Sequence, residues 1–405
     1  MYKNPRILNR NCKFVFRKFF VSLRFVFIFA EMRFKDVIGQ DEIKSRLVQA
    51  YKENRVSHSY LFYGAPGVGK MALAIAFAQY LSCENKEDGD SCGHCPSCQK
   101  YEKLVHPDLH FVFPYITSSN SQNKAVSDTY IDLWRPMVNK SPYFSYRDWT
   151  NNLQSENKQC MIYAAESSEI IRKISLKTYE SDYKVMIIWM PEKMNTECAN
   201  KILKILEEPP HNTVFLLVSN NREDILPTIQ SRTQPIKVLG IADEPLKQAL
   251  VDRFGITEDE ASDIVKISNG SFLEARQQIE QDEENAFNFE NFKSLMRFCY
   301  SGDVITALAF AKEIAKLSRE RQKSFIDYCL IMVRENFARN INGNVAYLTK
   351  DEDAFAKNFS RFINERNINN FITIFNDSYY QIERNGNSEI IFTDTAFNIM
   401  KIIRK

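Results

Sequence analysis

The stretch GAPGVGKM, residues 64 to 71, has every feature of a phosphate-binding loop except the last. In the pattern G-x-x-x-x-G-K-[ST], backbone amides surround the phosphates, the lysine contacts the β- and γ-phosphates, and the final hydroxyl binds Mg²⁺. Gly64, Gly67, Gly69 and Lys70 supply the first parts, whereas Met71 has no hydroxyl. The strand-like SYLFYG before the loop and the helix-like MALAIAFAQYL after it favour a phosphate loop by ancestry over a glycine-rich turn without a ligand.

A second requirement for nucleotide hydrolysis concerns the strand KVMIIW, residues 184 to 189. An active hydrolase of this kind needs an aspartate at the end of this strand to hold Mg²⁺ and a neighbouring glutamate to polarise water. This strand instead ends in Trp189 and continues with Met190, Pro191 and Glu192. Glu192 comes three positions late and behind a proline, which favours a solvated or helix-capping acid. Neither required carboxylate is present.

Four of the nine cysteines have a spacing typical of a metal site, C-x8-C-x2-C-x2-C, formed by Cys83, Cys92, Cys95 and Cys98. Four thiolates on a short loop suit a tetrahedral Zn²⁺ that serves structure. Disulfides are disfavoured because no secretory signal is recognised, and an iron–sulfur cluster is the weaker metal alternative. His94 lies inside the cluster, but four thiolates already fill the coordination shell. The other cysteines are interpreted as reduced thiols: Cys12, Cys160, Cys198, Cys299 and Cys329.

The stretch LPTIQSRTQ places Arg232 directly after Ser231, close to the end of the predicted α/β region. Two roles are open for this arginine. It is either a surface cation in a salt bridge, or an arginine finger that reaches the γ-phosphate bound to a neighbouring subunit.

The elements that must position these residues alternate between short apolar runs and longer helical patterns from Met32 onward. The predicted strands are SYLFYG (59 to 64), LHFVF (109 to 113), KVMIIW (184 to 189) and TVFLLVS (213 to 219). Each is almost continuously apolar, as a strand covered on both faces requires. Between the last two, Ala199, Ile202, Leu203 and Leu206 share a helical face before Pro209 and Pro210 end the helix. The pattern predicts an α/β core whose parallel sheet has helices on both faces.

The rest of the chain is predicted to be mainly helical. Residues 115–165, a polar run followed by the aromatic-rich YIDLWRPMVNKSPYFSYRDW, are predicted to be an insertion, part loop and part helix. After Pro235 the segments DEPLKQALVDRF, EDEASDIVKIS and SFLEARQQIEQ predict a small all-α lid. Amphipathic patterns continue to the end. We therefore predict a core at 32–235, a lid at 236–283 and an all-α domain at 284–405.

The charge is concentrated at the start of the chain. Residues 1–31 hold seven Lys or Arg and one acid, Glu31, which leaves 46 of the 53 basic and 50 of the 51 acidic residues to the remainder. A faintly acidic body does not favour tight DNA binding by this chain alone. The extension has charged residues throughout and no cleavage-site pattern, so it does not predict a membrane span. We expect translation to start at Met32, with a basic amphipathic surface anchor as the alternative.

Five stretches of the chain, in a fixed order, resemble motifs of a known family. DVIGQDEI, HSYLFYGAPGVGK, the four-cysteine cluster, ANKILKILEEPP and LPTIQSRTQ are similar to motifs of the bacterial clamp-loader AAA+ subunits, and most similar to the delta-prime family of DNA polymerase III subunits. The resemblance covers about residues 33 to 280. It leaves out the insertion, and the C-terminal helices match only in character.

The resemblance implies a cytoplasmic chain with an AAA+ P-loop core, a zinc module, a lid and a helical collar through which five subunits assemble. The implied partners are motor subunits of the gamma/tau type, a delta-type subunit and, through the complex, the sliding clamp and primed DNA, with no membrane. Motor subunits carry Thr, Asp-Glu and a sensor arginine where this chain has Met71, Trp189 with Met190, and Leu273, with Arg276 one turn later.

The resemblance therefore implies a subunit without ATPase activity of its own, whose Ser231 and Arg232 serve a neighbouring motor subunit. ATP binding without hydrolysis stays open. The alternatives are an active AAA+ motor subunit of the gamma/tau type and, resting only on residues 1–31, a membrane-tethered zinc protein.

Overall fold

A computed structural model describes residues 33–117, 125–153, 159–342 and 348–403 of the chain. The predictions for residues 1–31 and for Cys12 lie outside this described part. The chain divides into two compact units, Met1–Gln277 and Gln278–Lys405. Within the described ranges, no helix combines the length and the apolar character needed to cross a bilayer.

The first unit is built around a five-stranded parallel sheet. Its strands are β1 (Ser59–Tyr63), β2 (Leu109–Val112), β3 (Lys184–Trp189), β4 (Thr213–Ser219) and β5 (Gln234–Lys237). They lie in the order β2-β3-β4-β1-β5, and every pairing is parallel. All residues of β3 and β4 are buried, as expected for strands with helices on both faces. The predicted α/β class and four predicted strands are confirmed, and β3 and β4 have the predicted bounds.

The fifth strand is one that the sequence analysis did not predict. Only Ile236 of β5 is buried, so the strand lacks the apolar run that marks the other four. Pro235 also has no amide hydrogen, which restricts a strand containing it to the edge of a sheet. Strand β5 is indeed the edge strand beside β1.

In the described residues of the first unit, ten α-helices accompany this sheet, and an eleventh begins there. They are α1 (Asp41–Lys52), α2 (Lys70–Ser82), α3 (Pro96–Glu102), α4 (Ile131–Lys140), α5 (Tyr146–Asn152), α6 (Ala164–Ser175), α7 (Thr196–Glu207), α8 (Pro227–Gln230), α9 (Asp243–Phe254), α10 (Glu258–Ser268) and α11 (Phe272–Ser301). Every residue of α2 is buried. Helix α7 turns Ala199, Ile202 and Leu206 into the core and ends just before the two prolines, as predicted.

The second unit consists of helices in its described part. Besides the rest of α11 it contains α12 (Val304–Ile314), α13 (Arg319–Asn342), α14 (Lys350–Phe359), α15 (Ile368–Glu383) and α16 (Ser388–Ile402). Its core is rich in phenylalanine, with Phe292, Phe325, Phe371 and Phe392 almost completely buried. The predicted helical character of this region is confirmed.

The described residues of the segment 115–165 are partly helical, and Tyr143 among them packs onto the phosphate loop. Helices α4 and α5 lie within this segment, and Tyr143 occupies the turn between them. The Tyr143 hydroxyl accepts a hydrogen bond of 2.9 Å from the Ile38 amide, and its ring centroid lies 4.9 Å from that of Phe272. A Cβ added to Gly69, at φ +96°, would lie 3.2 Å from the Tyr143 ring. Tyr143 thus contacts the segment before α1, the phosphate loop and the start of α11.

We expect Tyr143→Ala to lower the free energy of unfolding of the first unit by about 3–5 kcal/mol, the usual cost of deleting a buried aromatic ring. Tyr143→Phe keeps the ring and should cost about 1–3 kcal/mol, because the Ile38 amide loses its acceptor. Urea titrations followed by tryptophan fluorescence report on this unit, since all three tryptophans, Trp134, Trp149 and Trp189, belong to it.

Tyr130→Ala is the control. Tyr130 lies in the same insertion, but its hydroxyl donates to the Ile116 carbonyl and not to a group beside the phosphate loop. Unfolding of Tyr143→Ala at the wild-type urea concentration would contradict the role given to this ring.

Candidate functional site

The glycine-rich loop lies between β1 and α2, and the start of α11 packs directly on it. The Phe272 amide donates to the Gly67 carbonyl at 3.1 Å, and the Ser271 hydroxyl donates to the Pro66 carbonyl at 3.0 Å. Gly67 has a φ of +77°, and a Cβ there would lie 2.2 Å from the Ser271 hydroxyl oxygen. Only glycine fits this position, because both the backbone conformation and the contact exclude a side chain.

Lys70 is turned back onto its own loop. Its ammonium group donates to the carbonyl oxygens of Gly64, at 2.7 Å, and Ala65. Burial lowers the pKa of Lys70 to about 8, and the Glu192 carboxylate acts in the opposite direction. A phosphate would therefore have to draw the lysine away from two carbonyls before binding it.

Glu192 is not solvated, which was one of the two roles predicted for it. It follows Pro191 in a turn after β3, it is half-buried, and burial raises its pKa. Its charge acts on Lys70. The turn directs this acid inward, so a carboxylate lies in the neighbourhood of Lys70.

The end of β3, where Mg²⁺ would require a carboxylate, is filled by aromatic rings. Trp189 is only 6% exposed. Its ring centroid lies 5.2 Å from that of Trp134 and 5.1 Å from that of Phe144, both from the insertion. Met71, at the hydroxyl position of the loop, is buried as well. Neither position offers an oxygen ligand to a metal ion.

The lid positions singled out from the sequence also face the core. Leu273 is buried, and its Cβ would lie 2.6 Å from a Cβ on Gly67. One turn later, an Nη2 atom of Arg276 lies 4.0 Å from the Asp148 carboxylate of the insertion. The apolar residue therefore contacts the loop, whereas the arginine pairs with the insertion.

The four predicted metal-ligating cysteines come together. Cys83 follows α2 directly, Cys95 caps α3, and the four Sγ atoms of Cys83, Cys92, Cys95 and Cys98 lie within 4.8 Å of one another. The Sγ atom of Cys92 is 3.6 Å from that of Cys83 and 3.9 Å from that of Cys98. These separations are far longer than a disulfide bond, about 2.05 Å. Sulfurs bound tetrahedrally to zinc at about 2.3 Å lie about 3.8 Å apart, so the donor set fits this ion.

Backbone amides support the sulfurs of this cluster. The amides of Cys92, Cys95 and Cys98 donate to the Sγ atoms of Cys83, Cys92 and Cys95, respectively, at 3.3 to 3.4 Å. At Cys92, burial acts to raise the thiol pKa, but amide hydrogen bonds from His94 and Cys95 outweigh it and lower the pKa to about 7. Thiolates are the form that binds metal. His94 is exposed, with Nδ1 3.1 Å from the Cys92 carbonyl oxygen.

Arg232 lies beside Ser231 at the end of α8, and its guanidinium is bound within the chain. Its Nε donates to Glu207 Oε2 at 3.0 Å, and Nη2 lies 2.9 Å from the same oxygen. Its Nη1 donates to the Thr228 carbonyl at 3.0 Å. The salt bridge considered from the sequence is therefore present, and it uses the last residue of α7.

Sequence reasoning missed the residues that pack on these sites: Tyr143, Phe272, Trp134, Phe144 and Glu207. The aromatic composition of the insertion was the available signal for three of them. Their partners lie far away in the sequence, so only the folded chain brings them together.

Comparison with protein families gives a match to the model described as DNA polymerase III, delta subunit, over residues 39–241. Among curated relatives, the delta-prime subunit of DNA polymerase III from Pseudomonas aeruginosa is 28% identical over 60% of this chain and 62% of its own length. The delta-prime subunit from Bacillus subtilis is 26% identical, over 53% of this chain and 52% of its own. The tau/gamma subunit from Haemophilus influenzae is 26% identical, over 54% of this chain and 25% of its own.

Solved structures also match. The RuvB Holliday junction branch migration motor of Thermotoga maritima has a TM-score of 0.36 at 14% identity, over 60% of this chain and 61% of its own. The chain spans less than two thirds of the length of each of these relatives. Since the family match covers half of the chain, and curated delta-prime subunits are among its relatives, the chain belongs to the DNA polymerase III delta-subunit family and is delta-prime-like.

Proposed function

We propose that this chain is a non-hydrolysing, delta-prime-like subunit of the DNA polymerase III clamp loader. It would assemble with motor subunits of the gamma/tau type and a delta-type subunit, and help the complex place the sliding clamp on primed DNA. We assign residues 32–235 to an AAA+ core, 236–283 to a lid and 284–405 to a collar. The observation that carries the proposal is Trp189, packed among aromatic rings where hydrolysis requires a metal-binding carboxylate.

Met71 and Leu273 support the same proposal from two other elements. Met71 removes the hydroxyl that would bind Mg²⁺, and Leu273 stands where motor subunits carry a sensor arginine. Without the metal and an activated water, the reaction lacks its main electrostatic stabilisation.

A second candidate is an active AAA+ motor subunit, and Glu192 is the observation that favours it. This half-buried acid acts on the pKa of Lys70, so a lysine and a carboxylate lie close together at the loop. The similarity to tau/gamma subunits is in keeping with this alternative. The two candidates differ in whether the isolated chain turns over ATP.

We expect the purified chain to show no magnesium-dependent ATPase activity, whether or not it binds nucleotide. Lys70→Ala and Glu192→Gln should leave phosphate release at the background level, because the metal-binding oxygens are already missing. A coupled phosphate-release assay measures this directly. Turnover that matches an isolated motor subunit, and that is lost in Lys70→Ala, would favour the second candidate.

We also propose that the cysteine cluster holds one structural Zn²⁺, with Cys83, Cys92, Cys95 and Cys98 as its ligands. Four thiolates leave no open coordination position, so the ion would stabilise the module rather than catalyse a reaction. The cluster begins where α2 ends, which places it at the opposite end of this helix from the phosphate loop.

We expect about one zinc per chain by elemental analysis of protein prepared under reducing conditions. Cys95→Ser should lower both the zinc content and the thermal stability, because a structural metal contributes its binding free energy to folding. Cys160→Ser, which changes a buried cysteine outside the cluster, is the matched control and should keep its zinc. Stoichiometric zinc in Cys95→Ser, or none in the wild type, would contradict this assignment.

For Arg232 we propose the role of an arginine finger, with Ser231 beside it, directed at ATP bound to an adjacent motor subunit. Such arginines stabilise the charge that develops on the transferred phosphoryl group, and they contribute about 10³- to 10⁵-fold in rate at their site. Exposed ion pairs, by contrast, are worth about 0–1 kcal/mol. The two roles left open by the sequence therefore predict very different losses.

We expect Arg232→Ala to leave folding and assembly intact while lowering DNA-stimulated ATP hydrolysis and clamp loading by the reconstituted complex. The loss of total hydrolysis should be partial, because only one of several sites would lack its arginine. Lys70→Ala is the control and should have a far smaller effect. If the complex with Arg232→Ala loads clamps at the wild-type rate, only a scaffold role survives.

A further inference from the structure

We propose that Glu207 is a positioning residue that holds Arg232 in a resting position and competes with the phosphate of the neighbouring subunit for it. This inference rests on the proposed arginine-finger function and adds a means of control to it. In this arrangement the finger is available only when a neighbour presents enough negative charge to displace the Glu207 carboxylate.

All three guanidinium nitrogens of Arg232 already have partners in this chain. Nε and Nη2 share Glu207 Oε2, at 3.0 and 2.9 Å, and Nη1 donates to the Thr228 carbonyl at 3.0 Å. Nη1 also lies 3.4 Å from the Ser231 hydroxyl. The guanidinium N–H groups that would contact a phosphate are therefore already bound to acceptors of this chain. A phosphate can bind them fully only by displacing those acceptors.

Glu207 is the last residue of α7, at the helix end that carries partial negative charge. An acid at this end is unfavourable by itself, whereas a cation near it is favourable. Arg232 thus offsets the unfavourable position of this carboxylate, and the Thr228 carbonyl supplies a further acceptor for the guanidinium.

The backbone next to Arg232 is held in place by hydrogen bonds, so exchange requires movement of the Arg232 side chain alone. Gln230, two residues earlier, donates from Nε2 to the carbonyls of Ile225 at 2.8 Å and Arg222 at 2.9 Å. Its Oε1 accepts from Nε of Arg222 at 2.9 Å. Release of the Glu207 contact would free the guanidinium while the backbone of Arg232 stays in place.

The strength of the contact suits a reversible device. The Glu207 side chain is 58% exposed and that of Arg232 is 29% exposed, so water screens the pair. Exposed pairs contribute at most about 1 kcal/mol, which corresponds to about a fivefold change in an equilibrium constant. A bound γ-phosphate carries more charge and can replace the carboxylate. Thermal motion alone leaves Arg232 bound to Glu207 most of the time.

The experiment uses the complex reconstituted from this chain and its own motor-type and delta-type partners. ATP hydrolysis is measured with and without primed DNA and clamp, for Glu207→Gln, Glu207→Ala and Arg232→Ala, and for Glu207→Gln combined with Arg232→Ala. Glu208→Gln is the matched control, because it removes the same charge one residue away. Size-exclusion chromatography verifies that each complex is intact.

We expect Glu207→Gln and Glu207→Ala to raise hydrolysis without DNA about two- to fivefold, and to leave the DNA-stimulated kcat close to wild type, so that the stimulation ratio falls. Glu208→Gln should behave as wild type. In the Arg232→Ala background, Glu207→Gln should have no effect, because the carboxylate acts only through the arginine.

The outcomes separate this inference from the function on which it rests. If Arg232→Ala lowers DNA-stimulated hydrolysis but both Glu207 variants match wild type or lose activity, the finger stands and the resting position is overturned. If Arg232→Ala has no effect, the finger itself is wrong and this inference falls with it.

Discussion

The burial of α2 is the constraint on which the rest of the first unit depends. Every residue of this helix is buried, so none of its sides is exposed for binding. Only its two ends lead to candidate sites. At one end lies the phosphate loop, against which the start of α11 and the insertion pack. The other end leads directly into the cysteine cluster. The helix therefore sets the positions of two sites, and its first residue, Lys70, belongs to the loop site.

The two ends of α2 are stabilised in different ways. At the loop, contacts come from distant parts of the chain, through Tyr143, Ser271 and Phe272. At the cluster, the four cysteines come from a stretch of 16 residues, and most of the support is local amide-to-sulfur hydrogen bonding. A site made of local contacts can be recognised from spacing alone, whereas a site closed by distant residues cannot.

This difference explains what the sequence could and could not predict. The buried strands follow from continuous apolar runs, and the cysteine cluster follows from its spacing. Strand β5 escaped prediction because a single residue, Ile236, is buried and Pro235 argues against a strand. Glu192 was misjudged because its direction depends on the turn after β3. The contact between Glu207 and Arg232 joins residues 25 positions apart, and no periodic pattern connects them.

The aromatic packing around Trp189 ties position 189 to the insertion. Here an aspartate at position 189 would face Trp134 and Phe144, and an isolated carboxylate among such rings is strongly disfavoured. The insertion would have to withdraw first, but Tyr143 on that same insertion packs against the loop. A change of side chain at position 189 is therefore coupled to the packing of the whole insertion on the phosphate loop.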